Sequence, residues 1–262
     1  MKSLLRVMIV FACLAAHFHC VPSVHGAAPL LRMRELLDAD SLDGKVLSDW
    51  HTVPGDVPTR QKLVSIRVGE LVPGREYRGP VRMIVPVGRK ASGFHLTGGH
   101  RPASIQRDAR PRGVDRELLR GGVGLVFTVV QELGSVGQAE LGQAAFRRFI
   151  KTLDPRHSVQ YWGWPAALIR AVTAAYAETE HFEPGKVAVT GASKNGASPS
   201  VALLHDKRMT ALHSSVAPIW DSPLRLCDRT AWKNLRAENQ RYVRGLQAAN
   251  RRVNSRRLLN HR

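Results

Sequence analysis

Cysteine is scarce in this chain: Cys13, Cys20 and Cys227 are the only three in 262 residues. Two of them fall in an amino-terminal segment that reads as a removable leader. Lys2 and Arg6 give a basic start, Val7 to Ala16 a short apolar core, and Val24-His25-Gly26 the approach to a cleavage site. Cleavage after Gly26 leaves Cys227 alone and excludes an internal disulfide, so stability must come from burial. Long apolar runs are also missing. The leader core is far shorter than the roughly 20 residues that cross a bilayer, and no later segment is longer. An uncleaved anchor is the alternative reading of the leader. Cys20 follows His17-Phe18-His19 rather than small apolar residues, which argues against a lipoprotein. The expected localisation is secreted or periplasmic, with no membrane span after cleavage.

Acidic residues are few: 21 against 39 lysines and arginines, for a net charge of +18. The excess is uneven. Residues 228–262 carry a net charge of +8, with Asp228 and Glu238 as their only acids. Such blocks are ordinarily solvated tails. No zinc-ligand spacing or RNA-binding signature accompanies this one, so nucleic acid is not an expected partner. What remains is ordinary for a globular protein, at 44% hydrophobic and 23% charged. The length suffices for one sizeable core. The organisation expected is a signal peptide over 1–26, a domain over 27–227 and a basic tail over 228–262.

No internal repeat is present. Leu31 to Leu37 reads as a short helix, followed by a polar stretch to about Thr59. Strands are expected at Lys62 to Val68, Val81 to Val87 and Phe94 to Thr97. His100 to Arg120 reads as a basic loop with one short helix. Gly122 to Val130 is continuously apolar, the pattern of a strand buried on both faces. Helices are expected at Gln138 to Leu153, through Leu141, Ala145, Phe146 and Ile150, and at Trp164 to Thr179. Pro184-Gly185 marks a turn into a strand at Lys186 to Thr190. A helix to Leu204 and a strand at Ala211 to Ala217 follow. Strand–helix alternation of this kind argues for a mostly parallel sheet with helices on both faces.

One stretch carries chemistry. Val187-Ala-Val-Thr-Gly-Ala-Ser-Lys-Asn-Gly196 runs an apolar strand into a serine between two glycines. This is the form of a nucleophile elbow, a sharp strand-to-helix turn that raises a hydroxyl at the carboxyl edge of an α/β-hydrolase sheet. Small neighbours are required because the helix packs hard against the strand; Gly191 and Ala192 provide them. The usual glycine two residues on is replaced by Asn195, with glycine at Gly196. The alternative is a plain turn in which Ser193 caps the helix. If Ser193 is the catalytic nucleophile, the Lys194 backbone N–H and an N–H of Gly98 or Gly99 form the oxyanion hole. The Lys194 side chain either adds positive charge there or points to solvent.

Acid and base are harder to place. Asp221 follows the last strand and is the candidate catalytic acid, whereas Asp206 sits in a turn at the opposite edge and reads as structural. The histidines after Ser193 are His205, His213 and His261, in a turn, a strand and the tail; His100 precedes the serine. None fits a base placed late in the chain.

From about Gly122 to Pro223 the chain resembles the PhoPQ-activated pathogenicity-related proteins, a secreted α/β-hydrolase-like family. The likeness rests on Val189 to Gly196, Phe149 to Asp154, Asp206-Lys207-Arg208 and Ala217-Pro218-Ile219-Trp220-Asp221. It implies a serine nucleophile whose acid and histidine come from the carboxyl-terminal part. Glucuronoyl esterases have similar glycine spacing, and their acid can follow the strand after the elbow, which implies Asp221. The residues from Pro218 are too few for two further strands and a histidine loop, so the carboxyl-terminal part is expected to be incomplete. The expected function is ester or amide hydrolysis through an acyl-enzyme on a small-molecule, glycan or peptide substrate, with no cofactor or metal. The alternatives are a non-catalytic binding or signalling protein on the same fold and an inactive truncated product.

Overall fold

The computed structural model describes residues 29–215, the side chains of Ser193 and Lys194 excepted. The expected leader over 1–26, the tail over 228–262, Asp221 and His261 lie outside the described residues. Within them a seven-stranded sheet is ordered β1-β2-β3-β5-β4-β6-β7. The strands are β1 (Lys45–Val53), β2 (Thr59–Val72), β3 (Arg75–Pro86), β4 (Ala91–Thr97), β5 (Gly124–Thr128), β6 (Phe182–Ala192) and β7 (Met209–Ser215). β1, β2, β3 and β5 pair antiparallel in succession, while β5, β4, β6 and β7 pair parallel. The sheet is therefore mixed, with β1 and β3 running against the other strands.

Alternation sorts the side chains onto two faces. Val64, Met83, Val85, Leu96 and Val126 belong to one buried cluster. Leu63, Ile84, Leu125 and Phe127, their neighbours in sequence, belong to another. The first face is covered by α4 (Ala139–Thr152), α5 (Trp164–Ala177) and α6 (Ala197–His205), with α1 (Met33–Leu37) beyond α5. The second is covered by α2 (Pro102–Ile105) and α3 (Gly113–Arg120), through Ile105 and Leu119. Helices on both faces are thus observed.

α5 is buried at every position from Trp164 to Ala175. A helix apolar all round belongs between layers rather than on a surface. Its one charged residue, Arg170, is satisfied by main-chain carbonyls: Nε donates to Arg67 at 2.9 Å, and Nη1 to Asp38 at 2.7 Å and Glu35 at 3.1 Å. Thr173 donates to the Leu36 carbonyl at 2.8 Å. These bonds tie α1 and the segment after it to α5.

Four local expectations need correction. The polar stretch before Thr59 contains β1, an edge strand whose side chains are mostly exposed; an edge carries too little burial to leave an apolar pattern. Pro184-Gly185 is no turn before a strand but lies inside β6. It sits where the β4–β6 register slips between Ala91 and Gly93. A Cβ on Gly93, whose φ is +106°, would meet the Lys186 carbonyl oxygen at 2.3 Å, so the two backbones approach too closely for any side chain. The basic loop holds two helices, not one. On α4, Leu141 and Ala145 are buried as expected, but Phe146 and Ile150 are exposed.

No helix among the described residues is long and apolar enough to cross a membrane.

Candidate active site

The order of connections puts a crevice at one edge of the sheet. From β4 the chain passes over the second face, through α2 and α3, to β5 on one side of β4. From β5 it passes over the first face, through α4 and α5, to β6 on the other side. β4 is therefore where the strand order reverses, and the loops leaving β4 and β6 diverge to opposite faces. Open α/β sheets bind ligands in the crevice outside the carboxyl ends of such strands. The two segments at its lips are Gly98-Gly99-His100 after β4 and Ser193–Gly196 after β6.

β6 ends at Ala192, and residues Ser193–Gly196 form a 3₁₀ turn leading directly into α6. The turn folds back hard on the strand. A Cβ on Gly191 would lie 2.2 Å from the Asn195 carbonyl oxygen and 3.0 Å from Pro199 Cγ, so only glycine fits there. Gly196 has φ −78°, ordinary helical backbone; its glycine is not needed for a left-handed turn. Its carbonyl accepts from Ser214 Oγ at 3.1 Å and from Ser200 Oγ at 3.3 Å, which pins the turn to β7 and α6. Asn195 Oδ1 is buried with no hydrogen-bond partner among the described residues. A mixed sheet, a reversal of strand order and a serine on a tight strand-to-helix turn at the carboxyl edge come together here. The fold is α/β-hydrolase-like.

The two glycines after β4 differ in role. Gly98 is buried, and a Cβ there would meet Val130 Cγ2 at 2.6 Å, so its smallness serves internal packing. Gly99 is exposed; its N–H donates to Thr97 Oγ1 at 3.3 Å, a long bond. Gln131, which follows β5, donates to the His100 carbonyl, and Trp164 Nε1 donates to Gln131 at 3.0 Å. The ends of β4 and β5 are thereby held to the start of α5.

The histidines divide clearly. His205 ends α6, away from the crevice, and His213 pairs with Thr190 inside the β7 ladder. Asp206 is buried and bound to Arg208 at 2.8–3.2 Å, a structural carboxylate as the sequence suggested. His100 stacks on Phe127 with ring centroids 4.0 Å apart, and burial holds its pKa below the ordinary value, against the pull of Asp115. The imidazole that sequence reasoning overlooked is His95 of β4. Its Nε2 lies 2.9 Å from Thr190 Oγ1 and its Nδ1 3.5 Å from Asp115 Oδ1. Nε2 and the threonine hydroxyl share a hydrogen bond, whereas Nδ1 is buried without a hydrogen-bond partner among the described residues, and Asp115 is an electrostatic neighbour only. The hydrogen-bonded imidazole and hydroxyl line a cavity of about 670 Å³ together with Val114, Leu118 and Ala188. A usable signal was present: His95 and Thr190 alternate with core residues Phe94, Leu96 and Val189, so both face away from α5.

No family model and no curated protein matches the chain. Among solved structures, it is similar to a CE15 glucuronoyl esterase from Teredinibacter turnerae, with 16% identity and TM-score 0.45 over 66% of this chain and 45% of that one. A glucuronoyl esterase from Solibacter usitatus is similar over 71% of this chain and 52% of its own, with 16% identity and TM-score 0.41. Acetyl xylan esterase 1 from a Thermoanaerobacterium species shares 12% identity, with TM-score 0.44 over 80% of this chain and 68% of its own. The chain spans about half the length of the two glucuronoyl esterases.

Proposed function

We propose that this chain is a secreted serine-hydrolase-like protein in which Ser193 attacks an ester or amide carbonyl to form an acyl-enzyme. The observation that carries this reading is the backbone turn at Gly191–Gly196, set at the reversal of strand order opposite the exposed Gly99. The Lys194 backbone N–H, with that of Gly98 or Gly99, is the proposed oxyanion hole, and Asp221 the proposed acid. The resemblance of 189–196 and 217–221 to the PhoPQ-activated pathogenicity-related proteins supports the same reading. The substrate class is a small-molecule, glycan or peptide ester or amide. A fluorophosphonate probe tests it: the folded wild-type chain is expected to be labelled at Ser193 and the Ser193→Ala variant is not. Absence of label on folded wild-type chain would sink the catalytic reading.

A second reading, a non-catalytic binding protein on the same fold, is favoured by one observation. The two described histidines on and just after β4 already have partners, His95 in the Thr190 hydroxyl and His100 in the Phe127 ring. The same labelling experiment separates the two.

A further inference from the structure

Most arginines of the described fold are matched. Arg67, Arg78, Arg82, Arg116, Arg120, Arg156 and Arg208 all form ion pairs with carboxylates. Arg89 and Arg170 donate to main-chain carbonyls. Four that are not matched sit together. Arg101, Arg107, Arg110 and Arg112 are exposed, and no ion pair or hydrogen bond joins any of their side chains to another described residue. All four line one cleft of about 920 Å³ beside the carboxyl end of β4, with His100 and Phe127 in its wall.

The cleft is built rather than incidental. Its floor is Arg82, which is 1% exposed and holds the loop from beneath. Arg82 Nε donates to the Ile105 carbonyl at 2.9 Å, Nη2 to the Gln106 carbonyl at 3.2 Å, and Nη1 to Asp108 at 3.2 Å. Gln61 reinforces it, donating to the Ala109 carbonyl and accepting from the Ala109 N–H, both at 2.8 Å. Buried polar side chains thus fix the backbone from which the unmatched guanidinium groups project. Unneutralised arginines held close together repel one another and are relieved by an oxyanion, which each guanidinium grips with two parallel N–H donors.

We propose that this cleft binds a small hydroxylated polyanion, of the acidic-oligosaccharide class. The anionic groups meet Arg101, Arg107, Arg110 and Arg112. Asp108 and Asp115 also line the cleft; they accept hydrogen bonds from hydroxyls but repel a phosphodiester chain, which has no donors along its backbone. The one aromatic ring pair of the cleft, His100 on Phe127, is stacked on itself and offers less face to a nucleobase. The proposal goes beyond the hydrolase reading and does not depend on Ser193 as nucleophile, since its test reads binding and not turnover.

The test is titration calorimetry of the full chain with three probes: sucrose octasulfate, trigalacturonate and a short DNA duplex. Binding of either sugar is expected, and the one bound tighter tells sulfate from carboxylate as the natural anion. Arg107→Gln/Arg110→Gln/Arg112→Gln is expected to weaken it by about threefold to tenfold for each guanidinium removed, with unchanged thermal melting. The single variants Arg107→Gln and Arg112→Gln carry the same readout if the triple variant fails to fold. A tail variant, Arg251→Gln/Arg252→Gln/Arg256→Gln/Arg257→Gln, is expected to bind as wild type. The proposal is overturned if neither sugar binds, if the tail variant loses binding while the cleft variants keep it, or if DNA binds tighter than both sugars and is lost on the cleft changes.

Discussion

On one face of the sheet Leu96 and Val126 lie beneath α5, where Leu168, Ile169 and Val172 are wholly buried and Arg170 is absorbed by carbonyls. On the other, Leu125 and Phe127 lie beneath Ile105 and Leu119 of two short helices. The basic loop around those helices is held by Arg82, Gln61 and Asp108. The first face is sealed by apolar area, which is non-directional and grows with the area removed from water. The second is closed by a few directional hydrogen bonds, which fix a backbone without filling the space over it. That difference explains why the cavities beside β4, one cationic and one apolar, both open on the second face. A segment clamped at points leaves room for a ligand; a close-packed helix does not.

The comparison is most severely tested at Leu168. Leu168→Ala is expected to cost about 2–5 kcal/mol of global stability, because α5 is wedged between layers and cannot collapse into the void. Denaturant unfolding measures it, and a loss well under that range would mean the first face is looser than its burial implies. Arg82→Leu is expected to cost less, about 1–3 kcal/mol, since Asp108 is half-exposed and water takes over part of the lost bonding. Its signature is local: amide exchange should speed up over 102–112 while β3 and β5 stay protected. Uniform loss of protection across the sheet would erase the distinction between the faces.

The smallest effect concerns pH. His51 Nδ1 donates to the Asp49 carbonyl at 2.8 Å, and Nε2 faces Asp108 at 3.0 Å. These contacts raise its pKa above the ordinary 6.5, the Asp49 carbonyl contributing most, against burial and the nearby Arg82. A raised pKa means that the charged ring stabilises the fold. Its contribution is complete below pH 6.5 and is lost as pH rises through the raised value. The pair is over a third exposed, so the effect stays within about 1 kcal/mol. Melting of wild type against His51→Asn across this range should show a gap that closes with rising pH. A gap that widens instead would show Arg82 outweighing Asp108.

Much of the sheet was legible in the residues. The continuous run Gly122–Val130 announced β5, and the alternation through Leu63 to Val68 announced β2, because burial on one or both faces leaves a period in the chain. β1 was not legible: most of its side chains face water, so selection for burial leaves no trace. The hydrophobic spacing of α4 misled at Phe146 and Ile150 because a helical period shows that a face is apolar, not that something covers it. At the candidate site, the turn after β6 and its Gly191 were legible because a tight turn demands small residues in a fixed order. His95, Thr190 and Asp115 were missed because they lie on three separate elements. Only the β4–β6 pairing and the packing of α3 bring them within reach of one another.

By itself, then, the sequence determined the two-sided sheet, the turn at Gly191–Gly196 and the imbalance of charge, since each is written in neighbouring residues through period, size or count. The tertiary structure decided which arginines are neutralised and which stand free around one cleft. It decided that Gly98 is small for packing while Gly99 is open, and that His95 bonds to Thr190 with Asp115 beside it. Those outcomes depend on distances between segments far apart in the chain, and such distances are set by strand order and helix packing rather than by local pattern.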